Sequence, residues 1–268
     1  MGVVNATPDS FSDGGRFFAA GAAIAHGLDL AAAGAALLDV GGESTRPGAA
    51  PVDAAEEIRR TEPVVRALAA GTELTVSIDT TKADVAAAAL AAGATMVNDV
   101  SGGTGDPAMR RVVADANAMF VAMHMRGTPR TMVDEANYHD VVAEVGDELR
   151  ARVDAAIAAG IRAEMLLADP GIGFAKTVEH NLALLAALPE LAARVEMPLL
   201  VGASRKSFLG RVLGEASVDA REEATLATTV WCFTNGAAVV RVHDVAASRR
   251  AVDLLDALER ATPQGMAA

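Results

Sequence analysis

Short apolar runs alternate with longer, alanine-rich stretches along the whole sequence. Most of the runs are rich in Val, Ile and Leu, whereas apolar positions in the longer stretches recur at the helical period of about 3.6 residues. The runs predict strands near Gly2–Asn5, Leu37–Gly41, Leu74–Asp79, Met96–Asp99, Met119–His124, Met165–Asp169, Leu199–Gly202 and Val239–Val242. The stretches predict helices near Ala19–Ala33, Asp53–Ala70, Lys82–Ala92, Pro107–Ala116, Asp140–Ala159, Val178–Ala187, Ser204–Leu213, Arg221–Thr234 and Val245–Arg260.

This alternation continues without a linker or a change in composition. Eight strand-helix units in a chain of 268 residues match the (β/α)₈ barrel, or TIM barrel, of the α/β class. We therefore predict one barrel domain over residues 1–268, with its active site at the C-terminal ends of the strands. A doubly wound open sheet is the alternative, but no Gly-x-Gly-x-x-Gly turn follows the first strand.

Composition narrows the classes of partner. The net charge of −12 argues against nucleic acid and anionic membranes, so an anionic substrate would need local cations. The single cysteine, Cys232, lies in an apolar run and is predicted to be a buried, inert thiol. Because we find neither a targeting signal nor a membrane-spanning stretch, we predict a cytoplasmic protein that binds small molecules.

Polar residues collect at one end of the predicted strands. The strand interiors are almost wholly apolar, and parallel strands bring their C-terminal ends to one mouth of the barrel. The residues at or just beyond those ends are Asn5, Asp39, Asp79, Asn98, Asp99, His124, Asp169, Ser204 to Ser207, Arg241 and His243. This one-sided placement predicts a binding site.

Two carboxylates and an amide form the first candidate group. Asp79, Asn98 and Asp169 offer acceptors suited to a flat heterocycle rich in N–H donors. Each charge-assisted hydrogen bond contributes about 1.5–3 kcal/mol. The alternative for a single Asp is a helix cap or an ion pair. His124 is interpreted as a structural residue.

A second group suits an anion. Arg241 and His243 are two residues apart on a strand and so face the same side, where the arginine would lack compensation without an anion. Asn5 would be their neighbour, because strand one adjoins strand eight in a closed barrel. The stretch Ser204–Ser207 is predicted to open a helix and to bind an anion; the alternative is an ordinary N-cap with solvated cations.

These motifs resemble the dihydropteroate synthase family, the folate-pathway enzymes that sulfonamide drugs target. The resemblance covers nearly the whole chain. It rests on Asn5–Gly15, Asp39–Gly48, Ser77–Thr80, Val97–Gly103, Asp169–Lys176, Gly202–Lys206 and Arg241–Asp244. It implies a transferase that condenses 6-hydroxymethyl-7,8-dihydropterin pyrophosphate with 4-aminobenzoate to give 7,8-dihydropteroate and pyrophosphate, with Mg²⁺ as cofactor, in a barrel that forms a homodimer.

The resemblance also implies a role for individual residues. Those implied to bind the pterin are Asp79, Asn98, Asp169, Lys206 and Arg241. Those implied to bind pyrophosphate are Asn5, Thr45, Arg46, Arg241 and His243, with Asn5 also a ligand of the metal. Those implied to shape the aminobenzoate site are Phe11, Thr45, Arg46, Pro47, Phe174 and Ser207. The residues expected to act in catalysis are Asp79, Lys206, Arg241 and His243, with Asp9 and Asp13 on a closing loop.

Two other functions remain open at this point. A pterin-dependent methyltransferase of the related barrel family would share the carboxylate and amide acceptors, but it has no evident use for Ser204–Ser207. A non-catalytic pterin-binding paralogue would be expected to lose loop residues that are intact here. Two departures from the family are that Met1 begins the first strand, where a preceding segment is expected, and that Ala6 replaces a larger aliphatic residue.

Overall fold

The structure is a computed structural model that describes residues 1–7, 16–45, 48–214, 217 and 221–261, and of residues 16–19 the backbone only. The strands are β1 (Gly2–Asn5), β2 (Leu37–Gly41), β3 (Thr75–Asp79), β4 (Met96–Asp99), β5 (Met119–Met123), β6 (Leu166–Asp169), β7 (Leu199–Val201) and β8 (Ala237–Val240). The helices in this part of the chain are α1 (Arg16–Ala32), α2 (Ala54–Gly71), α3 (Ala83–Ala91), α4 (Met109–Asp115), α5 (Val141–Ala158), α6 (Val178–Ala186), α7 (Leu188–Val195), α8 (Ser207–Leu213), α9 (Glu222–Thr234) and α10 (Val245–Ala261).

The strands form one parallel sheet in chain order, from β1 to β8. The sheet closes on itself just after β8, because the Val3 N–H donates to the Val242 carbonyl over 3.2 Å and the Val242 N–H donates to the Met1 carbonyl over 2.9 Å. Helices lie between successive strands along the chain. The predicted (β/α)₈ barrel is confirmed.

Alternation along the strands divides the core into two layers. Outward residues such as Leu38, Val40 and Ile78 belong to a large cluster with the helices. Inward residues fill the barrel with a smaller cluster that includes Met96, Val121, Leu167 and Leu200. Further along the same strands, the inward positions carry the polar residues of the candidate site, so an apolar plug supports a polar mouth.

Three elements differ from the sequence prediction. Strand β8 is shifted two residues toward the N-terminus, because a register irregularity at Leu199/Leu200 brings Ala237 into pairing with β7. The predicted helix Val178–Ala187 corresponds to α6, but α7 (Leu188–Val195) was not predicted; Ala187, with non-helical angles (φ −104°, ψ 21°), separates the two. Helix α8 begins at Ser207 rather than Ser204, because Arg205 has a left-handed φ of 59° and Lys206 is extended. Most of the predicted Ser204–Ser207 turn thus precedes the helix.

The apolar residues inside the barrel should contribute to stability. Leu200→Ala removes a fully buried side chain from the barrel interior and is expected to lower the free energy of unfolding by about 2–5 kcal/mol. The matched control, Leu254→Ala, alters a side chain that is 62% exposed and should stay within about 0.5 kcal/mol of the parent protein. Urea unfolding followed by circular dichroism measures both, and equal losses would contradict this account of the core.

Candidate active site

The register of β2, β3 and β4 sets three positions side by side. Gly41 pairs with Asp79, and Asp79 pairs with Asn98, so the Asp79 and Asn98 side chains meet at the C-terminal ends of their strands. Asp39 lies two residues before Gly41 and so faces the same way, one layer deeper. All three side chains are almost completely excluded from solvent.

Arg241 reaches across the mouth from the end of β8 to this group. Its Nε donates to Asp39 Oδ2 over 2.6 Å, and its Nη2 donates to Asp79 Oδ2 over 2.9 Å. Asn98 Nδ2 donates to the same Asp39 oxygen over 3.0 Å. The expectation that Arg241 would be uncompensated without an external anion is therefore wrong, because two carboxylates neutralise it within the protein.

Three acceptors in this network have no partner in the part of the chain that the structure describes. They are Oδ1 of Asp39, Oδ1 of Asp79 and Oδ1 of Asn98, and all are buried. A buried acceptor without a hydrogen bond is unfavourable, by about 1–3 kcal/mol. The group is therefore suited to a ligand that presents N–H donors, as predicted for Asp79 and Asn98.

The pKa values of the two predicted carboxylates at the mouth, Asp79 and Asp169, are both raised. Burial raises the pKa of Asp79 to about 7, with Arg241 opposing the shift and Asp39 adding to it. Burial also raises the pKa of Asp169, although the nearby Lys206 ammonium opposes this shift. Hydrogen bonds and positive charge from a ligand would favour the ionised forms of both groups.

Lys206 lies on the other side of the mouth, against the loop after β6. Its ammonium contacts the Ile172 carbonyl and sits 4.5 Å from the centre of the Phe174 ring. A side chain at Gly173 would meet Lys206 Cδ at 2.7 Å, so this glycine permits the approach. Burial lowers the Lys206 pKa to about 8, and the Asp169 carboxylate partly offsets the shift. Lys206, Asp169 and Phe174 are thus brought together.

The predicted anion-binding residues occupy the rim. His243 Nδ1 lies 2.9 Å from the Ser204 hydroxyl, which also accepts from the His243 N–H over 3.3 Å. Asn5 is exposed at the end of β1, next to the closure with β8. Thr45 lies beyond β2, partly exposed, and Ser207 is exposed as the first residue of α8. Hydrogen bonds thus join His243 to Ser204, whereas Asn5, Thr45 and Ser207 are placed by their positions in the fold.

Five predicted site residues lie outside the described residues: Asp9, Phe11, Asp13, Arg46 and Pro47. Their assigned roles stay predictions.

His124 belongs to a separate buried cluster. Its Nε2 lies 3.0 Å from Glu148 Oε2, and its Nδ1 lies 3.1 Å from Lys176 Nζ, which also donates to the Phe174 carbonyl over 2.9 Å. Burial lowers the His124 pKa to about 3 despite the Glu148 hydrogen bond, so the ring is neutral. Its contacts tie α5 to the loop that carries Phe174, which fits the structural role predicted for it.

The centre of the network, Asp39, received no role from the sequence. It lies in the middle of β2, two residues before the strand end, and its partners come from β4 and from the segment after β8, far away in the chain. Asn98 reaches it across β3, and Arg241 becomes its neighbour only when the barrel closes. The one sequence feature that could have indicated a role for Asp39 is a charged residue at an inward-facing position of a predicted strand, just below the barrel mouth.

The fit of a metal can be judged from the ligands available. No group of three His, Cys, Asp or Glu side chains in the described ranges could hold a metal ion. Asn5 offers a single amide oxygen at the rim. Mg²⁺ is commonly held by few protein ligands together with water and substrate phosphates, so Asn5 fits a metal that arrives with a pyrophosphate group.

Comparison with known proteins identifies the family. A family model described as pterin binding enzyme matches residues 1–243. The dihydropteroate synthase of Mycobacterium leprae is 53% identical, over 98% of this chain and 94% of the relative. The chain belongs to the dihydropteroate synthase family. Among solved structures of this family, the Xanthomonas albilineans enzyme with 4-aminobenzoic acid has a TM-score of 0.90 and 46% identity, over 96% of this chain and 92% of that one.

A second structure of the Xanthomonas albilineans enzyme is a complex with 7,8-dihydropteroate. It has a TM-score of 0.86 and 43% identity, again over 96% of this chain and 92% of that chain. Within the described residues of our chain, no helix is long and apolar enough to cross a membrane.

The raised pKa of Asp79 should be visible in stability. The folded protein keeps this proton up to about pH 7, whereas an unfolded chain releases it near pH 4, so the free energy of unfolding should fall as the pH rises between these values. Asp79→Asn removes the titrating group, and the difference between parent and variant should change across this window. Urea unfolding at several pH values from 4 to 8 measures the difference, and parallel curves would contradict the assignment.

Proposed function

We propose that this chain is a dihydropteroate synthase that joins 6-hydroxymethyl-7,8-dihydropterin pyrophosphate to 4-aminobenzoate. The observation that carries the proposal is the pair of unpaired buried acceptors on Asp79 and Asn98 in the mouth of a family barrel. The relatives are named synthases, and one was solved with 4-aminobenzoic acid and with 7,8-dihydropteroate. Neither alternative, a methyltransferase or a non-catalytic paralogue, receives support from them.

The pterin is proposed to lie between the two sides of the mouth. Asp79, Asn98 and Asp169 accept from its ring N–H and amino groups, and Lys206 donates to its carbonyl. Binding at Asp79 Oδ1 leaves Arg241 on Oδ2, so the guanidinium keeps its place while the ring binds. Its flat face is then available to stack against the pterin.

The pyrophosphate is proposed to bind at the rim, near the closure between β1 and β8. Arg241 and His243 would bind it from the segment that follows β8, Asn5 from the end of β1 and Thr45 from the segment after β2. Arg46 keeps its predicted role in the same site. Asn5 would hold Mg²⁺, which when bound supplies positive charge that favours departure of the pyrophosphate.

The aminobenzoate is proposed to bind beside Lys206. Phe174 and the lysine stem form one wall, and Ser207 at the beginning of α8 offers a hydroxyl for the carboxylate. Phe11, Thr45, Arg46 and Pro47 complete this site in the proposal.

The reaction is a dissociative substitution. The C–O bond of the pterin methylene breaks, and the pyrophosphate leaves with its electron pair toward Arg241 and His243. The ionised Asp79 stabilises the resulting cation in a site shielded from water. The amine nitrogen of aminobenzoate then forms the C–N bond and releases one proton to solvent. No covalent bond to the enzyme forms.

The direct test is pyrophosphate release by the purified protein with dihydropterin pyrophosphate and Mg²⁺, with and without 4-aminobenzoate. We expect release that depends on the acid, yields dihydropteroate by mass spectrometry and is inhibited by a sulfonamide. A methyltransferase would ignore the acid, and a paralogue would bind the pterin without release, so either result would overturn the proposal.

Lys206 offers a sharper test of the mechanism. Lys206→Met keeps the apolar stem beside Phe174 but removes the charge, and should lower kcat/KM about tenfold to a hundredfold because a charged hydrogen bond to the pterin is lost. Stability should change little, because a buried ammonium is also removed. Arg211→Met, which alters an exposed cation on α8, is the control and should change neither quantity. Parallel losses of activity and stability in Lys206→Met would show a structural role instead.

A homodimer in the cytoplasm also stays a proposal. Support for self-association comes from large apolar side chains exposed on the last helices, which are Val212, Leu213, Trp231, Leu254 and Leu258.

A further inference from the structure

Asp39 is the one charged side chain of the network that the proposed binding roles do not use. It is fully buried in β2, one layer beneath Asp79 and Asn98. A single oxygen, Oδ2, accepts from both Asn98 Nδ2 and Arg241 Nε. Burying such a carboxylate is unfavourable unless its partners compensate, so these two contacts define what Asp39 does.

The contact with Asn98 fixes which end of that amide faces the mouth. An ionised carboxylate only accepts hydrogen bonds, so the amide must turn its nitrogen toward Asp39. Its oxygen, Oδ1, then points away from Asp39, and it is one of the buried atoms without a partner in the described structure. Turning the amide over would place two acceptors against each other and lose a charge-assisted hydrogen bond.

We propose that Asp39 is a positioning residue that makes the site specific for a pteridine with an amino group at position 2. By holding Asn98 Nδ2, it presents the Asn98 carbonyl as an acceptor, which pairs with a 2-amino group and repels a 2-oxo group. Arg241 supports this arrangement in two ways: it neutralises the charge of Asp39, and its ion pair with Asp79 holds Asp79 beside Asn98. The inference rests on the proposed function, since it concerns the proposed pterin site.

Asp39→Asn tests the proposal with a side chain of nearly the same shape. An amide at position 39 both donates and accepts, so it tolerates either orientation of Asn98. The variant should then accept a 2-oxo ring better than the parent protein does. A residue that only stabilises the fold would weaken both ligands alike.

The measurement is the ratio of dissociation constants for 6-hydroxymethyllumazine, which has the 2-oxo group, and 6-hydroxymethylpterin, which has the 2-amino group, by isothermal titration calorimetry. We expect the parent protein to bind the pterin more tightly than the lumazine. In the Asp39→Asn variant the ratio of the two dissociation constants, lumazine over pterin, should fall at least about tenfold. An unchanged ratio in a folded variant would overturn the proposal.

Asp99, next to Asn98 at the end of β4, offers a matched control. It is as buried as Asp39, but its oxygens accept from the N–H groups of Ser101 and Gly103 and from the Ser101 hydroxyl. Asp99→Asn should therefore lower stability and leave the ratio unchanged. An equal fall of the ratio in this control would overturn the proposal, since it would show a general effect of losing a buried carboxylate.

If Asp39→Asn does not fold, Asp39→Ser tests the same link. It removes the carboxylate that holds Asn98 Nδ2, so the amide can turn over and the ratio must fall; an unchanged ratio overturns the inference. Failure of the parent protein to bind either compound would overturn the proposed function and this inference with it. Binding of both compounds with equal affinity would overturn only the role of Asp39.

Discussion

The ion pairs of Arg241 with Asp39 and Asp79 are the constraint on which the candidate site depends. The half-buried guanidinium is neutralised by both carboxylates, and the two carboxylates need the guanidinium, because unpaired charges are strongly unfavourable away from water. The pairs join the segment after β8 to β2 and β3, so they form only when the barrel has closed. The site and the completed fold therefore require each other.

The charges at the mouth add up to a small excess of negative charge. Asp39, Asp79 and Asp169 face Arg241 and Lys206, three carboxylates against two cations when all are ionised. Burial together with this excess makes Asp79 a weak acid with a pKa of about 7. A ligand with N–H donors would replace the hydrogen bonds that the buried carboxylates lack, and a developing positive charge would offset the excess negative charge. A cationic pterin methylene would therefore be stabilised in this site.

The strands and their polar ends were predictable because both follow from the local alternation of short apolar runs with longer helical stretches. An apolar run must be buried, and the polar residue that ends it must reach the rim, whichever barrel results. The role of Asp39 was not predictable in this way, since its partners are set by closure. The start of α8 was also missed, because a left-handed Arg205 is a turn conformation that a short cationic stretch does not reveal. Helix α7 was also missed, although the predicted helix from Val178 ended at Ala187, where non-helical backbone angles separate α6 from α7.

The two oxygens of Asp79 divide the work of the proposed reaction. Oδ2 accepts from Arg241, which is proposed to bind the leaving pyrophosphate, whereas Oδ1 is buried and has no partner in the described structure, so that it can accept from the pterin. One carboxylate thus couples the group that receives the leaving anion to the ring that becomes cationic. Asp39 accepts from Nε of the same arginine, so it helps to fix the position of Arg241 relative to Asp79. In the proposal Asp39 contacts neither substrate. Catalysis in this barrel would then depend on the buried Asp39 as well as on Arg241 and Asp79, which would contact the substrate.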